Sequence, residues 1–239
     1  SSGGPKSAAG AAADPKAAVP TTVDAGEPDQ AVRAVLEGVR DGKASAIWAF
    51  LPSRYQRDIN RLVQDFAGRV DAEVWNRTFV TLKRLLEVAR SKKELLINNP
   101  GLALREIDQK QLDEHWPALL GLFDTLLTSE LKEVKTLKTF DGKEFFAGTG
   151  TRFLEQLRSL SSTDASDPLG GLATSRISVI DRGPETARLQ IGEAGTPETP
   201  SPPRQFIVID GQWFPSELAA DLDEALRLGR ASVESMPGA

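Results

Sequence analysis

Few side chains in this sequence could do chemistry. His115 is the single histidine of 239 residues, and there is no cysteine. An imidazole titrates near neutral pH and is the natural general base. His115 has Asp113 and Glu114 beside it, either of which could orient it. Nothing in the sequence supplies the rest of such a site, so a helix-end histidine bonded to backbone or solvent is the preferred reading. The missing cysteines remove disulfides, thiolate nucleophiles and thiolate metal sites together. One histidine also excludes multi-histidine metal centres. An all-carboxylate site for a hard cation stays open, and Asp221, Asp223 and Glu224 crowd the last helical segment. Calcium would need further oxygen ligands from a suitable loop, so solvation is the better account of these acids. No catalytic residue, metal or cofactor is assigned.

Two other patterns invite a functional reading. "FFAGTGTRF" contains Gly148-x-Gly150, which could bring backbone amides close to an anion. A dinucleotide fingerprint needs a preceding strand and a third glycine, and Phe153 stands where that glycine should be. Close helix packing or a bend at the two glycines is expected instead. Lys132, Lys135 and Lys138 recur at helical spacing and could form a basic ridge for an acidic partner. Glu130 and Glu133 interrupt that field, so a solvated helix face is preferred. Among the aromatic residues, Tyr55, Trp75 and Trp213 are the candidate wall of a binding pocket between a sheet and the long helices.

These residues sit on elements that the periodicity outlines. Val32, Val35, Leu36 and Val39 fall on one helix face, with Asp29 as N-cap and Gly42 as stop. Ser53 is expected to cap a second helix whose apolar side is Tyr55, Ile59, Leu62, Val63 and Phe66. Asp71 starts a long helix with Val74, Trp75, Phe79, Leu82, Leu85, Leu86 and Ala89 in its stripe, and an Asn-Asn-Pro end at 98–100. Asp108 and Gln111 suggest a capping box. Pro117 is expected to break the following run, with a new helix beginning near it. "LTSELKEVKTLKTF" is expected to continue as helix, and Asp141 with Glu144 to cap the next one.

After a linker-like stretch around 162–174 the period changes to two. Ile177 and Val179, then Ala187, Leu189 and Ile191, then "RQFIVID" read as strands, with a stiff Pro-rich loop between the last two. Asp210-Gly211 is a hairpin signal that leads to Trp213 and Phe214. Pro215 and Ser216 open a final helix with Leu218, Leu222, Ala225 and Leu226 inward. Helices first and an antiparallel meander last argue α+β. The expected architecture is a mostly helical N-terminal two-thirds packed on a three- or four-stranded antiparallel sheet and a C-terminal helix. Residues 28–162 form the helical region and 163–239 the meander with its helix, together one unit.

Composition bounds the partners. The formal charge is −5 at pH 7, which argues against a broad nucleic-acid footprint. No apolar run approaches the ~20 residues needed to cross a bilayer. Residues 1–27 are rich in Ala, Gly, Ser, Pro and Thr, and such a stretch cannot bury enough apolar surface to order itself. It is expected to be a flexible tether. Tails of this kind often follow a cleaved secretion or lipoprotein signal, so export to the cell envelope, with a lipid anchor ahead of Ser1, is expected; an ordinary cytoplasmic N-terminus is the alternative.

"AVRAVLEGVRDGKASAIWAFLPSRYQRDIN" and "FIVIDGQWFPSELA" resemble the opening helices and the late strand–turn–strand of SnoaL-like proteins, the nuclear-transport-factor-like cone fold. The resemblance implies a cone-shaped domain of the kind found in exported bacterial proteins. Catalytic members carry Asp or His in the cone, and no residue here maps onto them. The functional expectation is a non-catalytic domain that binds a small molecule, a peptide or a protein. A SnoaL-like small-molecule enzyme using carboxylates or His115 is the second possibility, and a raised carboxylate pKa in a polar hollow would favour it. A structural or assembly subunit is the third, and a large exposed apolar helix face would favour that.

Overall fold

The structure, a computed structural model, describes residues 26–94, 109–161, 175–192 and 202–237. The expected tether up to residue 25, the chain stop at 98–100, the cap at residue 108, the linker at 162–174 and the Pro-rich loop at 193–200 lie outside the described residues. Helices α1 (Pro28–Arg40), α2 (Ser45–Phe50), α3 (Ser53–Arg69), α4 (Ala72–Ser91) and α5 (Gln109–Leu127) come first. A 3₁₀ turn at Glu130–Lys132, α6 (Val134–Leu137), α7 (Gly142–Phe145), a π turn at Phe146–Gly150 and α8 (Thr151–Ser161) follow. The sheet is β1 (Arg176–Arg182), β2 (Thr186–Gly192), β3 (Arg204–Ile209) and β4 (Gln212–Pro215), and α9 (Ser216–Ser235) ends the order. This is the α+β arrangement that the change of period implies, mostly helical with a small antiparallel sheet.

The four strands pair in chain order, each antiparallel to the next. Because side chains alternate across a strand, neighbours on β3 and β4 serve different layers. Phe206 and Trp213 join Ile177, Ala187 and Leu189 under Val32 of α1. Ile209 and Phe214 join Tyr55 of α3 and Ala219 and Leu226 of α9 on the other side. The terminal helix is therefore one cover of the sheet, and α1 is the second. Val179 keeps the expected alternation, opposite Leu189 and on the face of Ile177, but it is 41% exposed on the edge strand. The register slips after it, between Val179 and Asp181, and Ile180 at this bulge is exposed as well.

The caps divide into local and distant ones. Asp71 accepts from the backbone N–H groups of Glu73 and Val74 at 2.8 and 2.9 Å, and Asp141 from Lys143 at 2.8 Å, as their positions predict. Asp29 is not a cap. Helix α1 starts at Pro28, one residue earlier, and Asp29 faces Arg33 in the first turn. Ser53 is not a cap either: it lies inside α3, after Pro52, and donates its hydroxyl to Asp210.

Pro117 sits inside α5 rather than at its start. An interior proline costs a helix ~3 kcal/mol through a lost bond and a clash with the preceding turn. The turns ahead of it are held from outside: Trp116 Nε1 donates to the Ala89 carbonyl at 3.3 Å and Lys93 pairs with Asp113. The stretch after α5 is not one helix. Ser129 caps the 3₁₀ turn by accepting from Leu131, and Glu133 in extended backbone separates it from α6. In α9 the inward residues are Ala219, Leu222, Leu226 and Val233, while Leu218 and Ala225 face out. The predicted stripe is rotated because α3 approaches closely: a Cβ on Gly229 would lie 2.7 Å from Leu62. Gly150 likewise marks close packing, with Ala44 3.2 Å from where its Cβ would be.

Candidate functional site

The three aromatic residues chosen from the sequence do not share a wall. Tyr55 is 1% exposed in the cluster between α3, β4 and α9. Trp213 is 2% exposed in the cluster under α1, and its Nε1 donates to the Gly26 carbonyl at 2.9 Å. Trp75 is half-buried against a third cluster built on Ala67, Val134 and Leu137. Its ring lies 5.2 Å from that of Phe66 and 5.2 Å from that of Phe79. Only Trp213 borders one of the hollows described here, a gap of about 290 Å³ between α1, α2 and β4. Each of these rings fills a core, and each indole N–H has a backbone acceptor.

One polar constellation has the residue types of a reactive centre. Ser53, Arg54 and Tyr55 open α3 and meet Asp210 of the β3–β4 turn and Asp223 of α9. Ser53 Oγ donates to Asp210 at 2.8 Å, and the Arg54 backbone N–H donates to the same oxygen at 2.6 Å. Arg54 pairs with Asp223 at 3.2 Å and also donates to the Tyr55 hydroxyl. Tyr55 donates in turn to the Ala219 carbonyl at 3.1 Å. The Ser53 hydroxyl, and after it the Arg54 amide, hold the Asp210 carboxyl below its usual range. A carboxylate stabilised in this way is a poor base and does not activate serine. Burial pushes the Tyr55 phenol up, so it stays protonated. The Tyr55 bond runs inward to a carbonyl, the exposed bonds close on the start of α3, and the constellation is a structural corner.

Asp210 is the residue the sequence reading undervalued. Its turn role was visible, and both Asp210 (φ 51°) and Gly211 (φ 76°) take the left-handed backbone of a two-residue hairpin. Its second role is to cap α3, whose own N-cap position holds Pro52 and offers no side-chain acceptor. A carboxylate at a helix N-terminus satisfies a free amide and faces the positive end of the dipole. The only signal available in advance was the Pro at that cap position.

His115 is half-buried on α5 and borders none of the three hollows described here. Among the described residues no group of three His, Asp or Glu side chains is arranged to hold a metal ion. Among them, too, no helix is long and apolar enough to cross a membrane.

Two features of the outer helical layer remain. The first is a stripe on α4. Val74, Thr78, Thr81, Leu85 and Val88 recur at alternating four- and three-residue steps, so they lie on one helix face. That face points outward, and with Leu82 beside it the apolar members are 41–61% exposed. Thr78 and Thr81 bond their hydroxyls back to the carbonyls of Val74 and Arg77 at 2.9 Å each, so only their methyl groups need a partner. Of the apolar stripe read in the sequence, Trp75, Phe79, Leu86 and half-buried Ala89 turn inward. The apolar positions of α4 span too wide an arc for α3, α5 and α6 to cover.

The second feature is a groove of about 540 Å³ between α4, the end of α5 and the 3₁₀–α6 segment. Phe79, Val80, Leu127 and Val134 form its floor, and Lys83, Lys132 and Lys135 stand at its rim. A polar cleft of about 670 Å³ between α3 and α9 differs from it, being crossed by Arg230–Asp58 at 2.8 Å. With this geometry in hand, no family model, no curated protein and no solved structure matches the chain.

Proposed function

We propose that the chain is a non-catalytic binding domain that docks an amphipathic helix of a partner protein on the outward face of α4. The observation that carries this reading is the exposed stripe Val74, Thr78, Thr81, Leu85 and Val88. A stripe with alternating steps of three and four residues fits a second helix, whose side chains repeat with the same period. Surface helices ordinarily turn such a stripe inward. The flanks add a preference: Arg84 and Arg77, the latter paired with Glu73, border one side of the stripe and Leu82 the other. An apolar helix edged with acidic residues is complementary to both. At the corner of Ser53, Arg54, Tyr55 and Asp210, by contrast, the hydroxyls and the carboxylate are bonded within the fold, with Arg54 Nε left over, which supports a domain without a reactive centre.

A photo-crosslinking side chain at Leu85, introduced in the native host, tests the reading. It is expected to give one discrete adduct, mapping to an amphipathic segment, that the same group at Asp221 does not give. Equal or no adducts from the two positions would overturn it. Export to the cell envelope and kinship with the SnoaL-like cone fold are parts of the same proposal. A lipobox cysteine closing a signal peptide ahead of Ser1 supports export, and an ordinary start codon with no apolar leader overturns it. A solved cone-fold protein superposing on α1–α3 and β3–β4 is the test of kinship.

A further inference from the structure

Independently of the helix-docking reading, we propose that the groove between α4 and α6 binds a single-chain amphiphile with a carboxylate head. The hydrocarbon chain lies along the floor and the head sits among the three lysines. The floor is apolar and open to solvent: Val80 is 52% exposed, and Phe79 and Leu127 are half-buried. The volume, about 540 Å³, falls within the ~300–1,000 Å³ of ordinary ligand sites.

The charges around the groove select the head. Lys83, Lys132 and Lys135 face one acid, Glu133, which pairs with Lys132 at 3.7 Å. Among the described residues, Lys83 and Lys135 form no ion pair. The groove thus holds a net charge of +2, three lysines less one glutamate, in a chain whose net charge is −5. A lysine keeps its ammonium in water while its stem lies along apolar surface, so the rim can meet a carboxylate without leaving solvent. A cationic head would be repelled by the ammonium groups, and an uncharged one could accept from them but would leave their charge unmatched. A nucleic acid would need a longer track of cations.

The groove is also built in advance, which lowers the cost of binding. Trp75 Nε1 donates to the Leu131 carbonyl at 2.9 Å and ties the 3₁₀ turn to α4. Ser129 caps that turn, and Thr136 Oγ1 donates to the Glu133 carbonyl at 2.7 Å. The lysines at 132 and 135, which no continuous helix aligns, reach the same rim because of this broken backbone.

The test is calorimetric titration of the full chain with sodium dodecanoate below its micellar concentration. Saturable binding at one site is expected, weakening as salt rises. Dodecylammonium, with the same chain and the opposite head, is expected to bind at least about tenfold more weakly. The double variant Lys83→Gln/Lys135→Gln, both positions exposed, is expected to weaken dodecanoate binding about 3- to 10-fold. Val80→Asp is expected to abolish it; if that variant fails to fold, the lysine pair decides alone. Equal binding of the two heads, or unchanged binding by the lysine variant, would overturn the proposal. So would capture of anionic phospholipid vesicles with no uptake of free dodecanoate, which would make the lysines a contact for a membrane surface.

Discussion

Trp213 and Phe214 are neighbours on β4, and both are buried because the sheet has a helical layer on each side. Leu85 and Leu86 are neighbours on α4, and one is 58% exposed while the other is 6% exposed. A strand presents alternate residues to two faces, so two covers bury everything. A helix presents its residues around a circle, so one cover leaves the rest in water. The β3–β4 half of the sheet is closed on both sides, and the outer helical layer is open. Apolar content alone does not distinguish them; what packs against each does.

Removing Trp213 should have the largest effect on that contrast. Trp213→Ala empties a site closed by α1 and deletes the indole bond to Gly26, and a loss of ~3–5 kcal/mol is expected in urea denaturation. An effect below about 1 kcal/mol would show that the closed side is not packed as described. Asp210→Ala should cost ~2 kcal/mol, about half from the α3 cap and half from a side chain forced into left-handed backbone. Asp210→Asn should retain most of that stability, since Asn tolerates the same backbone and also caps.

Asp210→Asn also separates from the native chain by pH. The Asp210 carboxyl is held below its usual value in the folded chain, by the Ser53 hydroxyl first. Its contribution is therefore complete above the ordinary aspartate value of ~3.9 and is lost as pH falls through the lower folded value. Denaturation curves at neutral and acid pH should show this loss in the native chain and a smaller one in Asp210→Asn. Equal losses in both would remove Asp210 from the cause.

Tyr55→Phe should cost ~1 kcal/mol, because the Ala219 carbonyl loses its donor at a buried position. Leu85→Ser should do least, within about 0.5 kcal/mol, as an exposed substitution. A cost near 2 kcal/mol at Leu85 would mean that α4 is covered after all and would end the contrast.

Much of the fold was legible in local chemistry. The Asp-Gly turn, the Asp71 and Asp141 caps and the change from helical to alternating period each act within a few residues. What the sequence hid depends on elements distant along the chain. The partner of Pro52's empty cap is Asp210, 157 positions from Ser53. Pro117 is tolerated because its helix is braced, Trp116 bonding to Ala89 of α4 and Lys93, just past the end of α4, pairing with Asp113. Val179 lies beyond the reach of a cover on the edge strand, and Leu218 yielded to Ala219 beneath α3. The candidate site was misplaced for the same reason. The ring size of Tyr55, Trp75 and Trp213 marked cores, while the exposed groove and stripe depend on which side of α4 its neighbours leave open.

The bond from Asp210 to the first turn of α3 has a consequence for the order of assembly. A chain made from its N-terminus presents α3 to solvent long before the hairpin exists, with its first turn uncapped and the Tyr55 ring lacking its β4 and α9 neighbours. Non-local closure of this kind slows folding. A polypeptide halted before residue 204 should therefore show a frayed start to α3 and rapid amide exchange there, and release of the last segment should quench that exchange in one step.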